Sequence, residues 1–125
     1  ARWTEEQPSV VQPSTRPSFR GSVVELTGVQ SISAAETFTQ ALMNRKPKVI
    51  RVGETTQGVF SDVLGRTLPN GWRFGLANER FVTDGKSFDN VGIAPDVAVE
   101  SLTPAARATG KDAAVEKALA MLHGR

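Results

Sequence analysis

The sequence predicts a mixed α/β fold, and three observations carry that expectation. A β-branched run at residues 22–27, bounded by Gly21 and Gly28, is followed by apolar positions at helical spacing from Ser33 and then by a second β-branched run at 48–52. The joints are short, and a strand, helix, strand order with short joints favours a parallel pair with a crossover. Downstream, Pro69-Asn70-Gly71 separates two runs with alternating apolar residues, and the chain closes on an amphipathic stretch.

Taken in order, residues 1–20 hold Pro8, Pro13 and Pro17 and read as an extended segment ahead of a folded unit at 21–125. Trp3, Val10, Val11 and Phe19 are its residues able to dock on a core. The 22–27 strand delivers the chain to Ser31-Ile32-Ser33-Ala34-Ala35-Glu36. Ser33-x-x-Glu36 has capping-box spacing: the hydroxyl accepts from the N3 amide while the carboxylate reaches back to the cap amide. That arrangement needs no function. It would also suit a nucleophile, because free amides and the positive end of the helix dipole would stabilise an oxyanion formed beside the hydroxyl. Along the helix Ala34, Ala35, Phe38, Ala41 and Leu42 are expected to face inward, with Asn44 and Pro47 marking the stop.

Gly53-Glu54-Thr55-Thr56-Gln57-Gly58 follows the second strand as a polar, glycine-bounded loop, at the strand end where open α/β sheets place ligands. It is not a phosphate loop, since Gly58 is followed by Val59-Phe60 where Lys-Ser/Thr would be needed. Residues 60–68 and 72–82 form the arms of the hairpin, with Trp72, Phe74 and Leu76 on one face. A second reversal at Thr83-Asp84-Gly85-Lys86 leads into 88–96. Thr103 and Pro104 read as the cap and first residue of a short helical turn ended by Gly110. The last helix starts near Asp112, with Val115, Ala118, Leu119 and Leu122 as its expected buried stripe.

Composition narrows the chemistry. The 125 residues, 39% hydrophobic and 22% charged, suit one globular domain with a real core. Without Cys there is no disulfide, thiolate nucleophile or cysteinyl metal site, and one His cannot make a histidine cluster, so neither metal nor cofactor is expected. The net charge is +2, and the densest basic run (Arg45, Lys46, Lys48, Arg51) falls at a helix end, where cations complement the dipole. It lacks interleaved aromatics, and no nucleic-acid partner is expected. No run approaches the roughly 20 apolar residues of a membrane span and no leader pattern is present, so no membrane insertion by this stretch is expected. The chain opens on Ala1 without an initiator Met, which points to a piece of a longer parent whose function is shared with chain outside it.

Four pieces, in order, resemble the tail-specific or C-terminal processing serine peptidases, a family that includes the core domains of the tricorn protease. They are Ser33-Ala34-Ala35-Glu36 at the helix start, Gly53-Glu54-Thr55-Thr56 after the next strand, the Leu68-Pro69-Asn70-Gly71 turn, and Val91-Gly92-Ile93-Ala94-Pro95-Asp96 before the C-terminal helices. The match runs from about residue 21 to 122. It implies a fold similar to the Clp protease and crotonase spirals of repeated strand-strand-helix units, here the C-terminal portion only. It implies Ser33 as nucleophile, with Ser31 the runner-up, Ala34 N–H as one oxyanion donor, and Gly53, Glu54, Thr55 and Thr56 as substrate-binding. The second donor in such enzymes comes from an upstream glycine-rich segment, and nothing before Gly21 has its Asp-Leu-Arg-x-Asn-x-Gly-Gly pattern; a PDZ-like module is also missing.

A serine hydroxyl needs a base within hydrogen-bond reach. In one branch of the family that base is a Lys directly after the second loop glycine, where this chain has Val59, while Lys46 and Lys48 lie on the wrong side of the strand. In the tricorn-like branch, which Gly-Glu-Thr-Thr suits better, a His and a further Ser come from earlier in the chain and a Glu near the end of the core orients them. Asp89 is the nearest match to that acid, and an Asx-type turn beside Asn90 explains it equally well. His123 is read as complementing the dipole of the last helix. Glu54 and Asp62 could be taken for a glycosidase pair, but nothing else supports it. The resemblance further implies polypeptide substrates, the missing N-terminal part of the parent as partner, and a bacterial cell envelope or periplasmic setting, with homo-oligomers left open. The alternative is a non-catalytic carrier of a small apolar ligand or peptide, as in the retinoid-binding repeats of the eye; the third reading is a structural fragment.

Overall fold

A computed structural model describes residues 2–10, 12 and 14–124. The expected crossover is present. Strand β1 (Val24–Thr27) leads through helix α1 (Ala34–Leu42) to β2 (Ile50–Gly53), and the two strands pair in parallel with Val24 opposite Ile50 and Thr27 opposite Gly53. After a hairpin of β3 (Val63–Thr67) and β4 (Arg73–Ala77), β5 (Val97–Ala98) returns to the other edge of β2, also in parallel, giving the order β1-β2-β5. The short helix α2 (Pro104–Thr109) and the terminal α3 (Ala113–His123) complete the chain.

The local signals at the helix ends act as read. Thr103 Oγ1 accepts from Ala106 N–H at 3.0 Å, Pro104 occupies the first turn, and Gly110 ends α2 in the left-handed region. Asp112 caps α3, its Oδ1 accepting from Ala114 N–H at 2.8 Å. In the hairpin turn Gly71 N–H donates to Leu68 carbonyl oxygen at 2.9 Å, and Gly71 supplies the positive φ that the reversal requires.

Helix α3 packs on β1 and β2, and the apolar core is Val49, Val52, Phe60, Ile93, Ala114 and Ala118. Two faces differ from expectation. On α3 the buried pair is Ala114 and Ala118, while Val115, Leu119 and Leu122 keep more than a third of their surface. Small residues at i and i+4 bring the helix close to the sheet, which turns the larger ones to its flanks. On α1 the inward side is polar: Glu36, Thr39 and Gln40 are buried and Phe38 is 60% exposed. Thr39 Oγ1 donates to Glu25 Oε1 at 2.7 Å, and the Glu36 carboxylate is held by the neighbouring loop, so long-range hydrogen bonds set the helix rotation against its apolar spacing.

The hairpin stands away from this core, with all ten strand residues exposed, including Phe74 and Leu76 on the face that carries Trp72. The N-terminal segment has neither helix nor strand among its described residues, and Trp3 and Val10 are exposed rather than docked. Phe19 lies under the Arg45 guanidinium, whose Nη2 donates to the Phe19 and Gly21 carbonyl oxygens at 2.8 and 3.1 Å. Val11 and Pro13 lie outside the described residues. Among the described residues no helix is long and apolar enough to cross a membrane.

Candidate active site

The turn between β1 and α1 is built from the backbone outward. Gly28 and Ser31 close it, with Ser31 N–H donating to Gly28 carbonyl oxygen at 2.8 Å and Ser31 Oγ accepting from Gly28 N–H at 3.2 Å. Ser31 is thereby committed to the turn. Ser33 then stands at the N-cap of α1, exposed, with φ 55° and ψ −116°. A non-glycine residue rarely holds a positive φ, and such strain collects at functional sites. The expected capping-box pairing of Ser33 with Glu36 is present, Ser33 N–H donating to Glu36 Oε2 at 3.2 Å. The Ser33 hydroxyl makes no cap bond, and Glu36 N–H takes the Ser33 carbonyl oxygen at 2.8 Å. Ala34 N–H, next to Ser33 in the first turn, has no hydrogen-bond partner among the described residues.

Glu36 holds the site together. Its carboxylate is fully buried and accepts from three backbone amides: Gly58 N–H at 2.6 Å on Oε1, and Val59 N–H at 2.9 Å and Ser33 N–H at 3.2 Å on Oε2. Position N3 at the positive end of α1 suits a negative charge. The 53–58 loop is thus fixed to the helix start, and Ser33 N–H also donates to Val59 carbonyl oxygen at 2.9 Å. On its other side the loop crosses residues 90–93. Thr56 Oγ1 accepts from Ile93 N–H at 2.8 Å, and Asn90 N–H donates to Gly58 carbonyl oxygen at 2.8 Å. The crossing is close enough that a Cβ on Gly58 would meet the backbone of residues 90–92, and one on Gly92 would meet the Thr56 carbonyl, with φ at +80° and +77°. Both positions require glycine.

Asp89 reaches the same loop from the far side, Oδ1 accepting from Phe60 N–H at 3.3 Å and Oδ2 from Ser87 Oγ at 3.2 Å. Ser33 and Asp89 are therefore both tied to residues 58–60, without a direct hydrogen bond between their side chains among the described residues. Gly53 is buried at the end of β2, and Thr56 is buried against Ile93. Glu54 and Thr55 line a shallow depression of about 340 Å³ with Pro95, Val99 and Glu100. A larger groove of about 470 Å³ is also lined by Glu54, with Val29, Ser31 and Ala35 from the turn between β1 and α1 and with Leu102 and Ala114.

The remaining candidates sit elsewhere. His123 ends α3, exposed, as its last-turn basic residue. Asp62 is exposed at the base of the hairpin and, among the described residues, contributes only its carbonyl oxygen to hydrogen bonds. Lys48 pairs with Asp96 at 2.7 Å beside the start of β2, where Asp96 also accepts from Arg51 N–H at 2.9 Å and Arg51 Nη2 at 3.2 Å. Burial alone would raise the Asp96 carboxyl, but these hydrogen bonds and the two cations outweigh it and hold the group below the usual carboxylate range. Among the described residues no group of three or more His, Cys, Asp or Glu could hold a metal ion. Sequence reasoning gave Glu36 only the capping role; the signal was the residue type, but its reach of 22 positions to Gly58 leaves no local pattern.

Comparison with known proteins bears directly on this arrangement. Residues 2–99 match the family model for peptidase family S41. The chain belongs to peptidase family S41. Its fold is similar to that of a candidate peptidase from Parabacteroides merdae (30% identity, TM-score 0.75), covering 88% of this chain and 34% of that one. It is also similar in fold to the tricorn protease (24% identity, TM-score 0.69; 82% of this chain, 10% of that) and to the photosystem II D1 C-terminal processing protease (25%, 0.53; 63% and 20%). No curated protein matches. This S41 chain therefore spans about a third of the length of the Parabacteroides relative, and the S41 match takes in the proline-rich start as well as the sheet.

Proposed function

We propose that this chain is the C-terminal part of an S41 serine endopeptidase, hydrolysing peptide bonds of unfolded or tail-exposed proteins, with Ser33 as nucleophile. The observation that carries the reading is Ser33 itself: an exposed serine at positive φ, between a parallel strand and a helix, beside an Ala34 N–H that has no hydrogen-bond partner among the described residues. A strained strand-to-helix turn is how other hydrolases expose a nucleophilic serine. A base from chain outside these residues removes the Oγ proton, Oγ attacks the substrate carbonyl carbon, and the resulting oxyanion takes Ala34 N–H and the α1 dipole. Asp89 would orient that base from across the 58–60 loop. Glu54 and Thr55 would touch the peptide, a role supported by the depression they line, and Gly53 and Thr56 hold the loop that presents them. The family also suggests a bacterial envelope setting and self-association.

A second reading, a peptide or small-ligand carrier on the same fold, is favoured by Val59, which stands beside Ser33 where one branch of such enzymes has its lysine base. A quenched-fluorescence peptide assay separates the two. It compares the 125-residue chain, the full parent and the parent carrying Ser33→Ala. Activity confined to the parent and abolished by Ser33→Ala supports the peptidase; turnover surviving Ser33→Ala removes the nucleophile, and a parent that binds peptides without cleaving them is a carrier.

A further inference from the structure

The Asp89 carboxylate is held at both of its oxygens, by groups from different parts of the chain. Phe60 N–H donates to Oδ1 at 3.3 Å, and Ser87 Oγ donates to Oδ2 at 3.2 Å. The terminal torsion of an aspartate is broad, so the Phe60 bond alone would leave the group free to swing about one oxygen. The Ser87 bond fixes its plane. The lone pairs that remain on both oxygens then point in set directions before anything binds.

The turn around Asp89 is built without the Ser87 hydroxyl. Val91 N–H and Gly92 N–H both donate to the Phe88 carbonyl oxygen, at 3.1 and 2.8 Å, and Asn90 N–H donates to the Gly58 carbonyl oxygen at 2.8 Å. Phe88 stacks obliquely on the buried Phe60, ring centroids 6.4 Å apart, and Asn90 takes a positive φ of 61°. Backbone bonds and a ring contact therefore fix where the Asp89 side chain starts. Besides the carboxylate, the Ser87 hydroxyl meets only Asp89 N–H among the described residues, at a long 3.4 Å.

The choice of a hydroxyl matters for charge. Among the described residues no Lys or Arg forms an ion pair with Asp89, whereas Asp96 is engaged by both Lys48 and Arg51. A serine orients a carboxylate without neutralising it, which leaves the negative charge for a group that gains a proton beside it.

We propose that Ser87 is a positioning residue for the peptidase reaction: its hydroxyl locks the Asp89 carboxylate in the orientation that receives an N–H of the base supplied from chain outside these residues. Supporting hydrogen bonds of this kind keep a reacting constellation within its productive geometry. The inference rests on the peptidase reading, and on Asp89 as the acid that orients the base.

The test is a double-mutant cycle of Ser87→Ala and Asp89→Ala in the full parent, with Ser87→Thr as the variant that keeps the hydroxyl, and kcat and KM measured on one fluorogenic peptide. Ser87→Ala should lower kcat about 10-fold with KM little changed, the scale of one hydrogen bond to a charged group. Ser87→Thr should restore most of that loss. In the Asp89→Ala protein, Ser87→Ala should lower kcat no further, because no carboxylate is left to hold. A loss that is equal in both backgrounds, or that Ser87→Thr leaves unrestored, marks a structural role and overturns the proposal, as does a Ser87→Ala protein with full kcat. Parental kcat in Asp89→Ala, with activity still abolished by Ser33→Ala, removes the acid and Ser87 with it but keeps the nucleophile. A parent without activity, or with activity that survives Ser33→Ala, overturns the peptidase reading and the role of Ser87 together.

Discussion

Replacing Glu36 should damage this molecule more than any other single polar change. The side chain is fully buried and accepts from Gly58, Val59 and Ser33. Ser33 N–H keeps the Val59 carbonyl oxygen as a second acceptor, so Glu36→Ala strands two amides. Each buried amide left unmade costs about 1–3 kcal/mol, and the bonds lost are to a charged acceptor. Together with the space left by the side chain, a loss of about 3–5 kcal/mol is expected, a large part of the roughly 5–15 kcal/mol that stabilises a domain. Glu36→Gln keeps the shape and one acceptor oxygen but turns an amide donor toward an amide, and should cost about half as much. Urea unfolding followed by circular dichroism measures both, with the slope checked for constancy so that midpoints can be compared. A Glu36→Ala loss under about 1 kcal/mol, or a Glu36→Gln protein less stable than Glu36→Ala, would refute the role given to this carboxylate.

Three further outcomes follow from particular contacts. Gly58→Ala should lose about 3 kcal/mol or more, because a Cβ meets backbone at positive φ, whereas Gly110→Ala, also at positive φ but in open space, should lose only about 1–2 kcal/mol; equal losses in urea unfolding would contradict the close crossing. Phe38→Ala should cost the 125-residue chain less than about 1 kcal/mol, against about 3–5 for a buried phenylalanine, and a large loss would mean that α1 is rotated as its spacing suggests. Asp96 has a carboxyl pKa lower folded than unfolded, so its stabilisation is present above about pH 3.9 and is lost as pH falls through the folded value. The stability gap between the protein and Asp96→Asn should therefore be constant near neutrality and close in acid; a gap that widens on acidification would reverse the sign.

Much of this architecture was legible because its signals are local. The crossover could be read from two β-branched runs with a helix between them, and the hairpin from Pro69-Asn70-Gly71, since turn residues act on their own backbone. Thr103, Gly110 and Asp112 marked helix ends for the same reason. The rotation of α1 was not legible: Phe38 and Ala41 have the spacing of an inner face, but the deciding bonds run from Glu36 to Gly58 and from Thr39 to Glu25. At the candidate site, the helix start at Ser33 could be read from its motif, but not its positive φ or the bond from its N–H to the Val59 carbonyl oxygen, which joins it to a loop 26 positions away. Asp89 could be placed near the loop by resemblance, while its bonds to Phe60 and Ser87 appear only in three dimensions.

Trapping the intermediate on Ser33 is the most direct measurement of the central claim. The full parent is incubated with a slowly deacylating peptide ester, quenched in acid, digested and analysed by tandem mass spectrometry. The account predicts an acyl mass added to the peptide that contains Ser33, fragmenting to that residue and absent from the Ser33→Ala protein. Acylation at Ser31, or peptide hydrolysis that persists in the Ser33→Ala protein with no adduct on any residue of this chain, would contradict it.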